Sequence, residues 1–430
     1  MKKRQKGLVL AAGALGLVLV LLLPQAFSRA ACHAVERLWG NRLFASAQEH
    51  TPLELSIFLH EEALVRVLQP FVQELAAPMR RTLEWVPGIG RAAAAVVPEL
   101  RLSRVELRAA PAQSAVGAER GSASSAVMAR VRLTMEAPGG GLFATVAPSL
   151  FAVMDFPLEM VHGAGGTVEL KSRLSAATVV EVGIEGFVGT GAVLSEWQAR
   201  ARQELERILG MDVVLARIPP LRVEEFQIDL QPLRLEAIRD TNLLHIVLQA
   251  SAVEVPRLPA LPPPTLTAEL PVAVALHELG ALALSDHALR VHGASGFRRN
   301  GAAGGPYRVR LRSLETERDQ TKMEMVVLRH RWPCGWATMS AALTFRRGTQ
   351  GVEVVAQDLE LQDANRPLCL VRAMMPGEAV LGDRATEMLQ QALRMEDVQL
   401  GELGRVSLLG ERVETRQAVI YAHARLHVQR

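Results

Sequence analysis

The chain has 430 residues, enough for two domains with a large buried core. Apolar residues make up 49% but aromatics only 4%, so a core has to be built from Leu, Val and Ala. The 48 Lys and Arg against 45 Asp and Glu leave a net charge of +3, and the arginines are spread along the chain, which excludes the concentrated basic stripe of a nucleic-acid binder.

Met1 to Lys6 is basic, Gly7 to Leu23 carries no charge, Pro24 comes next, and Ser28-Arg29-Ala30 has a small-x-small cleavage pattern. Residues 1–30 therefore read either as a secretory signal or as an uncleaved membrane anchor. Both readings put the rest of the chain outside the cytoplasm, because the lysines stay inside. The expected place is the periplasm, anchored to the inner membrane or released by cleavage. A lipid anchor on Cys32 is a poor fit, since Arg29 stands where that signal wants Leu. Residues 31–50 read as a juxtamembrane connector.

Leu53 to Phe58 reads as a strand and Ala63, Leu64, Val67, Leu68, Phe71 and Leu75 as one helix face, with Pro70 and Pro78 expected to kink or break it. Leu100, Leu102, Val105 and Leu107 alternate with one phase slip, which predicts a bulge. Val127, Ala129, Val131, Leu133 and Met135 alternate with polar or longer neighbours, as in a strand with one wet face. Strands are predicted over 167–174 and 178–184. Ser195 and Gln198 form a capping box ahead of a helical stripe of Trp197, Ala201, Leu205, Ile208 and Leu209. Strand-like runs continue to Leu248.

Pro256 to Pro271 reads PRLPALPPPTLTAELP, which suits neither a helix interior nor a central strand and predicts an extended connector. The second half of the chain repeats the plan of the first. Leu270 to Ala275 runs into Leu276-His277-Glu278, as Leu53 to Phe58 runs into Leu59-His60-Glu61. Further strands are predicted up to Leu361, then a helix capped by Asp383 with Met388 and Leu389 on its stripe, then two closing strands. The domain plan is a first lobe over 51–255, a linker over 256–271 and a second lobe over 272–430. Cys334 and Cys369, both in the second lobe, either pair in an oxidising compartment or stay as buried thiols, with Cys32 unpaired.

Motifs for chemistry fail on inspection. His60-Glu61 and His277-Glu278 lack the second His four residues on that a zinc site needs, since positions 64 and 281 are Leu and Ala. Gly88-x-Gly90-x-x-Ala93 lacks the preceding strand of a dinucleotide fingerprint. No nucleophile elbow, phosphate loop or cysteine-pair metal site is present, and no cofactor is expected. The segregation of strands and helices argues α+β with antiparallel sheets.

On the starts at Leu53 to Leu75 and Leu270 to Leu284, the helix from Ser195 to Leu209 and the linker Pro256 to Pro264, the chain resembles the tubular lipid-binding superfamily in its two-lobed, bactericidal/permeability-increasing form. On Phe226 to Leu235, Gly351 to Leu361 and Asp383 to Leu393 it is similar, more closely, to a bacterial envelope family of unassigned function. The resemblance implies two tandem lobes, each a long twisted antiparallel sheet wrapped on one or two long amphipathic helices. It implies a non-catalytic protein that binds, shields or transfers a lipid-like ligand, with the membrane and an envelope protein as partners. The expected apolar lining is Leu64, Leu68, Phe71, Val131, Leu133, Trp197, Leu205, Leu209, Met388 and Leu389. Those stripes suit a solid core equally well, in which case the protein is a structural or assembly scaffold.

Overall fold

The structure, a computed structural model, describes residues 32–36, 44, 49–74, 99–109, 127–136, 149–185, 191–209, 212–223, 226–291, 296–302, 304–317, 320–330, 334–348, 351–364, 376–377, 379–383, 386, 399–400 and 406–428. In chain order the first half contains β1 (His50–His60), α1 (Glu61–Glu74), β2 (Glu99–Ala109), β3 (Val127–Glu136), β4 (Ser149–His162), β5 (Val168–Ser172), β6 (Thr178–Glu185), α2 (Gly191–Ile208), β7 (Val213–Ile218), β8 (Leu221–Val223), β9 (Phe226–Ile228), β10 (Gln231–Ile238) and β11 (Leu243–Pro256). The second contains β12 (Val272–His277), α3 (Glu278–Val291), β13 (Tyr307–Glu317), β14 (Gln320–Arg329), β15 (Gly335–Gly348), β16 (Gly351–Ala364), β17 (Gln399–Leu400), β18 (Val406–Arg416) and β19 (Val419–Val428).

The α+β expectation, with a separate sheet wrapped on long helices in each lobe, is overturned. Strand accounts for 60% of the structure and helix for 22%, in three antiparallel sheets. The largest has thirteen strands in the order β10-β11-β1-β12-β19-β18-β17-β7-β5-β4-β3-β2, with β6 on β4. It draws strands from both halves because β1 and β12 pair with each other, Ser56 opposite Ala275 and Leu59 opposite Val272. Strands β13 to β16 form a second sheet in sequence order, and β8 with β9 a third. The helices α1 and α3 have only 14 residues each.

Around the β1–β12 contact the two halves use the same parts. Strand β1 is flanked by β11, and β12 by β19, each the last strand of its half. Each first strand ends in a histidine whose Nδ1 accepts a backbone N–H at the start of the next helix. His60 takes that of Glu62 and His277 that of Leu279, both at 3.2 Å. A helix N-terminus leaves such donors orphaned, so a neutral histidine here is a cap. The next residue, a glutamate in both halves, then holds down the next strand. Glu61 accepts from Asn242, which bonds β2, and Glu278 accepts from the Thr316 hydroxyl on β13.

Strand β3 has the predicted dry face of Val127, Ala129, Val131 and Leu133, and β2 has its bulge between Leu102 and Arg104. Other expectations fail. Helix α1 runs four residues past Pro70, whose exposed position lets the carbonyl it cannot bond meet water. Helix α2 begins at Gly191, so Ser195 lies inside it, and Gln198 donates to the Val182 carbonyl (2.8 Å) instead of capping. Residues 379–383 are helical, so Asp383 lies within a helical turn rather than ahead of one. Strand β4 was not foreseen because Pro157 interrupts its pattern. It survives because β6 pairs with β4 only up to Asp155 and β5 only from Leu158, which puts the missing N–H in the gap.

The proline run packs as a strap. Leu261 and Leu266 lie on Phe58, Leu243, Ala275, Val419 and Tyr421, and the Tyr421 hydroxyl donates to the Pro262 carbonyl (2.8 Å). It covers the face of the central strands opposite the main core.

The ends of the large sheet approach each other, with β10 lying against β2, β3 and β4. No ladder joins them. The open edge of β2 is closed by two side-chain amides. Gln69 accepts from the Leu102 N–H and donates to the Leu100 carbonyl, both at 3.2 Å. Asn242 accepts from the Leu107 N–H (3.0 Å) and donates to the Val105 carbonyl (2.9 Å) from a left-handed turn at φ 49°. Such pairing satisfies an edge that would otherwise recruit another strand. Asn242→Ala is expected to lower unfolding stability by roughly 2–4 kcal/mol, by orphaning these groups and straining the turn. Asn242→Gly, which keeps the turn, should cost about 1 kcal/mol less in urea titrations.

Candidate functional site

The described members of the predicted lining come together in one buried apolar cluster. Leu64 and Leu68 on α1, Val131 and Leu133 on β3, and Trp197, Leu205 and Leu209 on and just after α2 are each at most 3% exposed and belong to one apolar cluster. Phe71 is on α1. Its side chain, and Met388 and Leu389 altogether, lie outside the described residues.

A cleft of about 840 Å³ lies instead on the second sheet. Alternation explains it. Met323, Met325, Val327, Ala337 and Met339 face the main core. The residues between them, Glu324, Val326, Leu328, Trp336 and Thr338, share the opposite face and line the cleft. Leu279 and Leu282 of α3 and Phe44 of the connector add apolar wall, and Arg312, Glu315 and Asp363 give polar groups.

Helix α3 is fastened along the edge strand β13 at two places. One is the Glu278–Thr316 bond. The other is Arg310 to Asp286, N···O 2.7 Å, with both side chains nearly buried. Arg310 also lines the cleft, so its charge is fixed by a partner before any ligand arrives. A buried pair of this kind loses heavily if one member is removed.

The N-terminal segment crosses this face. Val35 is 2% exposed and packs on Val326 and Leu328, and Cys32 is disulfide-bonded to Cys334 at a Cα–Cα distance of 5.0 Å. This replaces the expected Cys334–Cys369 pairing, since Cys334 has one sulfur and Cys32 holds it. Cys369 lies outside the described residues. The ring nitrogen Nε2 of His50 contacts the Phe44 carbonyl at 2.9 Å, tying the connector back to β1.

A second polar cluster went unread in the sequence. His245 on β11 has Nε2 2.9 Å from the Ser56 hydroxyl on β1 and Nδ1 3.4 Å from the Glu236 carboxylate on β10. That order matches a nucleophile, base and orienting acid. Burial argues against catalysis. Ser56 is 2% exposed, His245 stacks on Phe58 at 4.4 Å, and Ser56 sits in a strand whose neighbours on both sides take up the backbone ladder. Among the described residues no group of His, Cys, Asp and Glu could hold a metal ion, and no helix is long and apolar enough to cross a membrane. The expected N-terminal anchor or signal lies outside the described residues.

No protein-family model and no curated protein matches the chain. Among solved structures it is similar to a lipopolysaccharide binding protein, at 12% identity over 88% of this chain and all of that one, with a TM-score of 0.32. It is similar also to P47 of Clostridium botulinum E1, at 8% identity over the same shares, with a TM-score of 0.38. Likeness at those scores carries no argument for fold or function.

Burial pushes His245, His277 and His423 below their ordinary range, against the nearby carboxylates of Glu236 and Glu414 at His245 and His423. Above about pH 6.5 these rings are neutral in both folded and unfolded chains, and their contribution is complete. Below it the unfolded chain takes up protons that the folded one refuses, so stability falls with pH. Glu278 works in the opposite sense, because burial raises its carboxyl and its contribution fades as pH rises past about 4.5. Three histidines against one glutamate give a net loss of urea resistance between about pH 7 and pH 5. His277→Gln, which keeps an acceptor for the cap, should flatten that slope.

Proposed function

We propose that the protein is a non-catalytic, exported binder of a lipid-like amphiphile, which it holds or moves in the periplasm of a bacterial envelope. The observation that carries this reading is the cleft on the second sheet. Its volume lies within the roughly 300–1,000 Å³ of small-molecule sites, and its lining divides evenly between apolar side chains and polar or charged ones. The Arg310–Asp286 pair, beside Val326, fixes a charge in the wall, and Trp336, beside Leu328, adds apolar surface together with Leu282. The basic, apolar start of the sequence supports export.

A structural or assembly role is favoured by one observation, the buried apolar cluster that takes in Leu64, Leu133, Trp197 and Leu205. Native mass spectrometry of the chain purified from the envelope decides between them. Excess mass that leaves on denaturation is expected, and Gln362→Trp, at an exposed position of the cleft wall, should reduce it with little change in fold. An apo mass together with no saturable uptake of labelled lipid would turn the reading to the scaffold. Against an enzyme, a fluorophosphonate probe is expected to leave Ser56 unlabelled. Labelling lost in Ser56→Ala would make the buried cluster catalytic.

A further inference from the structure

We propose that one end of the second sheet docks on an anionic lipid bilayer. Three segments meet there. The Phe297–Tyr307 bridge closes a hairpin that carries Arg298 and Arg299 exposed at its tip. Tyr307, at the start of β13, is opposite Arg329, at the end of β14, and the guanidinium lies over the ring at 5.6 Å. The backbone N–H of His330 donates to the Pro306 carbonyl (3.1 Å), joining the hairpin to the chain that leads to Cys334. Cys334 is bonded to Cys32, the third segment.

Charge and tether point the same way. Arg298 and Arg299 are exposed at the tip, Arg308 and Arg329 lie half-buried behind it, and Glu36 of the N-terminal segment is faced by His33 at 3.3 Å. Basic groups near an anionic surface attract it additively. Cys32 stands nine residues after Leu23, the end of the apolar run. Nine extended residues reach about 30 Å, so an inserted run keeps this end of the sheet within that distance of the bilayer. The disulfide makes the reach independent of the 302 residues between the two cysteines. Leu328 and Trp336, beside the disulfide, also line the cleft, so docking here would present the cleft to the membrane. The inference stands whether or not the cleft binds a ligand.

The test uses the full chain in phosphatidylethanolamine/phosphatidylglycerol vesicles, with an NBD fluorophore on Asn300→Cys in a Cys369→Ser background. A control label sits on Lys322→Cys, towards the other end of the same sheet. The label at 300 is expected to be blue-shifted and protected from aqueous dithionite, and the label at 322 quenched. Arg298→Glu with Arg299→Glu, or phosphatidylcholine vesicles, should remove the protection. Equal quenching at both positions, or protection that survives loss of charge on either side, would overturn the proposal.

Discussion

The pairing of β1 with β12 is the constraint on which the rest depends. Each is the first strand of its half, and each already has its own half's last strand on one side. Pairing on the remaining side turns two edges into the middle of a sheet, which removes a template for aggregation. The contact is short, from Ser56 opposite Ala275 to Leu59 opposite Val272, but its side chains are matched in size. Phe58 stands opposite Ala273, and Phe58 and Ala275 leave a surface on which Leu261 and Leu266 of the strap can settle. The proline run is thereby used twice. It carries the chain from β11 to β12, and it covers the second face of the strands it connects.

Helix starts are set by the same pairing. His60 and His277 lie at the ends of β1 and β12, where the strand hydrogen bonds run out and the first helical donors need partners. The His60 N–H donates to the Pro271 carbonyl and the Glu278 N–H to the Ala418 carbonyl, so each junction is held by the neighbouring strand as well as by its own ring. A charged histidine could not accept the helical N–H. Burial, which favours the neutral ring at His277, therefore serves the cap.

Much of this was legible wherever the signal was local. The dry face of β3, the bulge in β2 and the Leu-His-Glu junctions are short-range patterns, and a strand period needs only a few residues to declare itself. The capping box read at Ser195 and Gln198 failed, because Gln198 is used by the Val182 carbonyl. The rest depended on which strands become neighbours. Pro157 hid β4 because its tolerance comes from two partners that stop short of it on either side. Cys32 and Cys334 are 302 residues apart, and no spacing rule joins them. The cleft was missed because Val326, Leu328 and Trp336 read as ordinary strand residues. Only the hairpin register shows that they share a face with Thr338 and Glu324 while Met323, Met325 and Val327 take the core.

That division of labour also explains why the cavity lies where it does. In the large sheet the apolar face of each strand meets other apolar side chains from α1, α2 and the facing strands, and Leu64, Leu133, Trp197 and Leu205 among them are at most 3% exposed. The second sheet has one such face, against the main core, and a second, mixed face on which Val326, Leu328 and Trp336 stand beside Glu324, Thr338 and Arg310. Helix α3 is drawn to the β13 edge by Glu278 and Asp286, and the N-terminal segment is pinned at the far end by the disulfide. Between those two fixed points Val35 packs on Val326 and Leu328, and the exposed members of the lining are Arg312, Glu315, Gln362 and Asp363. The cleft is what remains of that mixed face between helix α3 and the N-terminal segment.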